Sequence, residues 1–180
     1  MTDIIFNRKV SFVPFEQLVG PICCGWSISP FGQCFILLQS DTVVGIAFKN
    51  DQSENKIETS IKSHWSDSAT KFEPFNTNKK AINIFFENGP IRISFCGTHF
   101  QTKIWKTLLE IPVGETTTYS CIAKKTDNLK AVRAVATAIG QNPIAWLIPC
   151  HRIIRKSGAL GGYRWGLEIK KLMLSKETKT

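Results

Sequence analysis

The sequence predicts an α+β protein, with a sheet-and-helix subdomain over residues 1–96 and a mainly helical subdomain with a helix-turn-helix over residues 97–180. Three observations predict it. Short β-branched runs and helically spaced apolar residues mix in the first half. Helical spacing dominates the second half. The net charge of +9 divides at the same place. Residues 1–95 hold nine Lys/Arg and nine Asp/Glu, whereas residues 96–180 hold fourteen Lys/Arg and five Asp/Glu.

In the first half, Ile36-Leu37-Leu38 and Val43 to Phe48 flank the polar Gln39-Ser40-Asp41-Thr42 and predict a hairpin within residues 23–49. Residues 50–71 are polar, with helical spacing at Ile57, Ile61 and Trp65. Ala81, Ile82, Ile84, Phe85 and Phe86 predict a second helix, stopped by Gly89-Pro90. Ile91, Ile93 and Phe95 alternate as a last strand. Nothing in this half carries chemistry, and Cys96-Gly97 marks the junction.

In the second half, Thr98 is placed to cap a helix with Phe100, Ile104, Trp105, Leu108 and Leu109 on its apolar face. Ile111-Pro112-Val113-Gly114 ends it. Ser120–Lys125 reads as a short helix, Thr126-Asp127-Asn128 as a turn, and Lys130–Ile139 as a second helix closed by Gly140. That is a helix-turn-helix pattern, weak by itself. Ala131, Ala134, Ala136 and Ala138 keep the second helix slim enough for close approach to another backbone. Lys130 and Arg133 are its long cations. A tight helix–helix contact with a solvated Arg133 fits the same residues.

The composition excludes several classes. No segment reaches the roughly 18 unbroken apolar residues of a membrane helix, so no membrane partner is expected. Met1–Val10 has no apolar core or cleavage site and reads as no secretory signal. The six cysteines, at 23, 24, 34, 96, 121 and 150, form no Cys-x-x-Cys pair. Free thiols, no metal and no cofactor are expected. A positive excess confined to one half suits a polyanion-binding surface.

Chemistry concentrates in Ile148-Pro149-Cys150-His151-Arg152. Pro149 fixes its own φ and keeps the reactive stretch non-helical. An adjacent imidazole, Arg152 and the local positive field are expected to favour the thiolate. A buried cysteine beside a surface histidine would give the same pair.

The wider context separates these readings. Gly97-Thr98-His99-Phe100-Gln101, Trp105, Ile111-Pro112, Gly114, Tyr119, Ala131-Val132-Arg133-Ala134-Val135, Asn142-Pro143, Ile148 to Arg152, Gly162-Tyr163, Gly166-Leu167 and Glu177 resemble the O6-alkylguanine-DNA alkyltransferases. Tyr163-Arg164-Trp165-Gly166 is most similar to the C-terminal module of the bacterial adaptive-response protein Ada. The resemblance covers residues 97–177; residues 1–96 share only length and general pattern. It implies irreversible, stoichiometric transfer of an alkyl group, mainly methyl, from O6 of guanine (O4 of thymine as a further substrate) to Cys150 after base flipping. It implies a winged-helix-like second subdomain whose recognition helix enters the minor groove. The implied partner is double-stranded DNA bearing O6-alkylguanine, met by a monomer. The location would be the nucleoid-containing cytoplasm of a bacterium or a eukaryotic nucleus.

The same resemblance implies residue roles. Cys150 is the nucleophile. His151 takes the thiol proton through a water, and Glu177 orients the imidazole. Asn142 holds the turn that presents Cys150, and Tyr119 donates near N3 of the departing guanine. Arg133 fills the gap left by the flipped nucleotide, with Lys130, Ala131, Ala134, Tyr119 and Arg152 also on the DNA side. Ile153, Tyr163, Arg164 and Trp165 belong to the substrate pocket. There the carbonyls of Cys150 and Ile153 accept from the guanine amino group, and the amide of Arg164 faces O6. Asp127 and Leu129 stand where the family pattern has Gly and Pro, which bears on affinity. A non-enzymatic alkyltransferase-like protein would lack Cys150, a regulator would need an effector domain, and a Cys-His hydrolase would turn over.

Overall fold

A computed structural model describes residues 9–65 and 70–178. Most of the Met1–Val10 segment read for a leader, residues 66–69 of the polar stretch, and residues 179–180 lie outside the described residues. The chain divides into two compact units, Met1–Cys96 and Gly97–Thr180. Among the described residues no helix is long and apolar enough to cross a membrane.

The first unit contains β1 (Val10–Phe12), β2 (Ile22–Ser29), β3 (Gly32–Gln39), β4 (Thr42–Phe48), α1 (Glu54–Lys62), β5 (Phe72–Pro74), α2 (Asn78–Phe86) and β6 (Ile91–Ile93). The strands form one sheet in the order β1-β6-β4-β3-β2-β5. The β2–β3–β4 centre is antiparallel, and β1, β5 and β6 add in parallel. Every residue of β4 is buried, as its unbroken apolar run requires of a strand covered on both faces. The β3–β4 turn is tighter than the sequence suggests. Gln39 pairs with Thr42 in the ladder, leaving Ser40 and Asp41 to turn, with Ser40 at φ 52. The predicted last strand stops at Ile93, short of Phe95. Ile57, Ile61 and Trp65 are buried, the first two on α1 and the third on a following 3-10 turn.

The second unit contains α3 (His99–Leu108), β7 (Thr117–Thr118), α4 (Tyr119–Lys125), α5 (Val132–Gly140), β8 (Ile153–Ile154) and α6 (Leu167–Glu177). Thr98 caps α3 in a reciprocal box: its hydroxyl accepts from the Gln101 amide, and the Gln101 side chain accepts from the Thr98 amide. Thr118 caps α4 by accepting from the Cys121 amide at 3.2 Å. β7 and β8 pair in parallel.

Between α4 and α5 the chain reverses at Asp127, which takes φ 61. Asp is among the few non-glycine residues that tolerate this region, so the turn survives without Gly. Leu129–Ala131 then forms a 3-10 turn, and α5 proper begins at Val132. Lys130 and Ala131, expected on the second helix, lie in that turn, because Asn128 directs its carbonyl to the Ala131 amide at 2.8 Å. Val135, Ala138 and Ile139 bury one face of α5, and the Trp105 indole donates to the Ala138 carbonyl at 2.8 Å. Arg133, Ala134 and Thr137 are exposed on the other face.

Candidate active site

The second unit buries an unbroken run of twelve residues from Asn142 to Ile153. Buried backbone polar groups must find partners, and Asn142 supplies several. Its amide nitrogen donates to the Ile148 carbonyl at 2.9 Å and to Cys150 Sγ at 3.1 Å. Its amide oxygen accepts from the Ile144 amide at 2.9 Å. One side chain thus shapes the loop and positions the sulfur. Cys150–Arg152 forms a single 3-10 turn, where the sequence reading expected no helical structure. Pro149 can open such a turn, since its missing N–H is not required there.

His151 is fully buried and lies flat on Trp146, with ring centroids 5.5 Å apart and an interplanar angle of 14°. Trp146 holds φ 74, a costly conformation for a bulky residue. His151 Nε2 meets Glu177 Oε1 at 2.9 Å. Its Nδ1 is buried with no protein hydrogen-bond partner. Burial lowers the imidazole pKa, with Glu177 opposing, so the ring is neutral near pH 7. The arrangement fits Nε2–H donating to Glu177 and Nδ1 left as an acceptor.

Glu177 also accepts from Arg152, through Nε at 3.0 Å and Nη2 at 2.8 Å. Burial alone would raise its carboxyl pKa, but the His151 and Arg152 hydrogen bonds outweigh this and hold it at about 2. Arg152 Nη1 donates to the Ile111 carbonyl at 2.6 Å. Arg152 is 7% exposed and its fork is committed. Its expected place on the DNA side is therefore corrected: it is an internal partner of Glu177, unable to reach a phosphate from there. The expectation of a favoured thiolate is corrected too. Burial raises the Cys150 pKa, against the Asn142 hydrogen bond and the Lys170 charge, so the resting group is a thiol.

Cys150 opens on a cavity of about 360 Å³. Tyr119, Asn142, Tyr163, Arg164 and Trp165 line it, with Gly140 at the end of α5. Trp165 is 3% exposed, and the Arg164 guanidinium sits 4.8 Å from its ring centroid. Burial raises the pKa of both Tyr119 and Tyr163, keeping their hydroxyls protonated. A Cβ on Gly161, itself at φ 70, would come within 3.1 Å of the Tyr119 hydroxyl, so the loop needs glycine there. Ile153 does not line the cavity. It is fully buried, and its carbonyl accepts from Lys170 Nζ at 2.5 Å.

Lys170 is the residue that the sequence reading missed. It is fully buried, and its ammonium also reaches the carbonyls of Leu160 and Gly162, at 2.5 and 3.4 Å. Burial pulls its pKa down to about 8, against the attraction of Cys150. A signal existed: Lys170, Met173 and Glu177 follow i, i+3, i+7 spacing and form the buried face of α6. Trp146 was missed as well, and no local pattern marks a ring that stacks on a histidine.

A buried thiol and an imidazole–carboxylate pair thus share one unit with a slim helix whose outer face is exposed. The comparisons narrow this arrangement to a family. Residues 99–179 match the family described as 6-O-methylguanine DNA methyltransferase, DNA binding domain. A methylated-DNA–protein-cysteine methyltransferase of Haemophilus influenzae is 37% identical over 157 residues, covering 83% of this chain and 82% of that one. The inducible protein of that name from Bacillus subtilis is 46% identical over 93 residues, 52% of each chain. Among solved structures, Mycobacterium tuberculosis OGT in complex with DNA superposes with a TM-score of 0.69 at 28% identity, covering 89% of this chain and 94% of that one. In several other relatives the match spans only 55% to 65% of their length. The chain belongs to the methylated-DNA–protein-cysteine methyltransferase family.

Proposed function

We propose that this chain repairs alkylated DNA by moving the alkyl group, mainly methyl, from O6 of guanine to Cys150, once per molecule. The observation that carries this reading is the Cys150 thiol, held by Asn142 in the wall of a cavity of about 360 Å³, with a buried His151–Glu177 pair next in sequence. O6 lies inside a duplex, so the base must be flipped, at a cost of a few kcal/mol. The exposed face of α5, with Arg133 and small Ala134, suits close approach to the minor groove and occupation of the vacated stack. Lys130 in the preceding turn suits a phosphate contact.

In this reading His151 Nδ1 takes the Cys150 proton through one water, and Glu177 stabilises the imidazolium that forms. The thiolate attacks the alkyl carbon in line and the C–O6 bond breaks. Tyr119 donates near N3, so the guanine leaves neutral. The Arg164 amide faces O6, and the Cys150 carbonyl accepts from the exocyclic amine. The thioether has no hydrolytic way back. Lys170 keeps the loop carbonyls of Leu160 and Gly162 in place and adds a positive charge near the sulfur. We read the unit as winged-helix-like, with the β7–β8 pair beside α4 and α5. The protein acts as a monomer on double-stranded DNA carrying O6-alkylguanine, in a nucleoid or a nucleus. O4-alkylthymine is a secondary substrate.

The test is incubation with duplex DNA carrying O6-methylguanine, followed by intact mass and a peptide map. One methyl per chain, on Cys150 alone, is expected, and Cys150→Ser should bind DNA and transfer nothing. Multiple turnover, or label on the exposed Cys121, would overturn the proposal.

A further inference from the structure

Trp146 is a large ring at a place in the backbone that resists one. It holds φ 74 and is 6% exposed, so a strained residue is also packed inside. Loop hydrogen bonds on both sides keep it there. The Leu147 amide donates to the Ala145 carbonyl and the Ile148 amide to the Ile144 carbonyl, each at 3.0 Å. The Asn142 side chain ties the same loop at Ile144 and Ile148. What this conformation achieves is the stack on His151, with ring centroids 5.5 Å apart and planes 14° from parallel.

We propose that Trp146 is a positioning residue for the transfer: its ring holds the His151 imidazole in one plane and stabilises the imidazolium formed when Cys150 gives up its proton. The inference rests on the alkyl-transfer reading above and adds a residue to its machinery. In that step the S–H bond breaks, an N–H bond forms on the imidazole, and a cation appears in a fully buried ring. Burial opposes that cation most, and Arg152 on the same turn and Lys170 on α6 oppose it further. Glu177 on α6 favours it, but the carboxylate already meets Arg152 at 2.8 and 3.0 Å. Once His151 is protonated, one negative charge is shared by two cations. The face of an indole attracts a cation within about 6 Å of its centroid, and more strongly away from water. Trp146 meets that condition without taking a hydrogen bond from the ring, so Nε2 stays with Glu177 at 2.9 Å and Nδ1 stays open to the proton.

The experiment measures single-turnover methyl transfer against pH in the wild type, Trp146→Phe and Trp146→Leu. Both variants keep a β-carbon at the same φ, so backbone strain is matched. In Trp146→Leu, transfer at neutral pH should fall about tenfold, and the acid limb of the profile should move down by about one pH unit. Trp146→Phe should fall between Leu and the wild type on both counts. An acid limb that stays put in Trp146→Leu overturns the proposal. So does an equal loss in both variants, which would make Trp146 a space-filler. A second measurement needs neither DNA nor the Leu variant. The 15N shifts of the His151 ring, titrated in the wild type and Trp146→Phe, should give a lower midpoint in the variant, because a phenyl face holds a cation less strongly than an indole face. An equal or higher midpoint overturns the proposal. A wild type that transfers no methyl removes the alkyl-transfer reading, and the titration then decides the stabilisation of the imidazolium by itself.

Discussion

Replacing Glu177 by Gln keeps the shape of the side chain and removes its charge. The carboxylate is 3% exposed, and it accepts from His151 at 2.9 Å and from Arg152 at 2.8 and 3.0 Å. The variant leaves the Arg152 guanidinium buried without its counter-ion. Removing one partner of a buried pair costs about 3–5 kcal/mol. For a chain of this size each kcal/mol lowers Tm by about 2–4 °C, so a drop of roughly 6–20 °C is expected. The effect has a pH signature. The folded carboxyl is held at about 2 against an ordinary 4.5, so the pairing contributes fully above about 4.5 and is lost as pH falls towards 2. The gap between wild type and Glu177→Gln should therefore narrow across that window. Methyl transfer should slow roughly a hundredfold or more, the low end for a general base. Adding Arg152→Met should restore stability to the variant without restoring transfer, because an apolar pair can replace a buried ion pair. Thermal unfolding at several pH values and single-turnover transfer provide the assay. A Tm drop below about 3 °C with unchanged transfer would refute the reasoning.

Three further outcomes follow from the same geometry. Trp165→Gly should be inactivated by free O6-benzylguanine at least tenfold faster than the wild type, with methyl repair kept. The buried ring displaces a flat ligand, and even a 1 Å misplacement costs about a hundredfold; equal sensitivity would count against the wall. Arg133→Ala should slow repair in duplex DNA more than in single strands, where less unstacking is needed, and equal losses would argue against its place in the stack. Lys170 is depressed to about 8 from 10.5, so the unfolded chain holds a proton that the folded chain releases between those values. Wild-type stability should rise relative to Lys170→Met as pH climbs through that window, and a fall would reverse the argument.

Local rules made much of this legible in the sequence. Thr98 ahead of an apolar-periodic run announced a helix start, and the spacing of Ile57, Ile61 and Trp65 announced a buried helical face. The strands β1 and β5 were not legible. Each has three residues, and each exists by pairing in parallel with a strand distant in sequence. The Cys150-His151 neighbourhood drew notice from its own residues. The expected helix at Lys130 failed for a local reason, the Asn128–Ala131 hydrogen bond, and Arg152 misled because an arginine beside a reactive cysteine looks like a surface contact. Burial decided the rest. It raised the pKa of the thiol and lowered those of the imidazole and Lys170, and no composition or spacing reports burial of single groups in a folded chain.

The His151–Glu177 contact bridges 26 positions of sequence, with the glutamate on the last described helix. During synthesis, Cys150 leaves the ribosome well before its neighbour has an acid to lean on. A nascent chain therefore carries its sulfur without the imidazole–carboxylate pair until α6 is made. Under the proposed reading, the acceptor thiol thus meets its acid–base pair only when the last described helix is complete, which ties competence for transfer to the folding of the whole second unit.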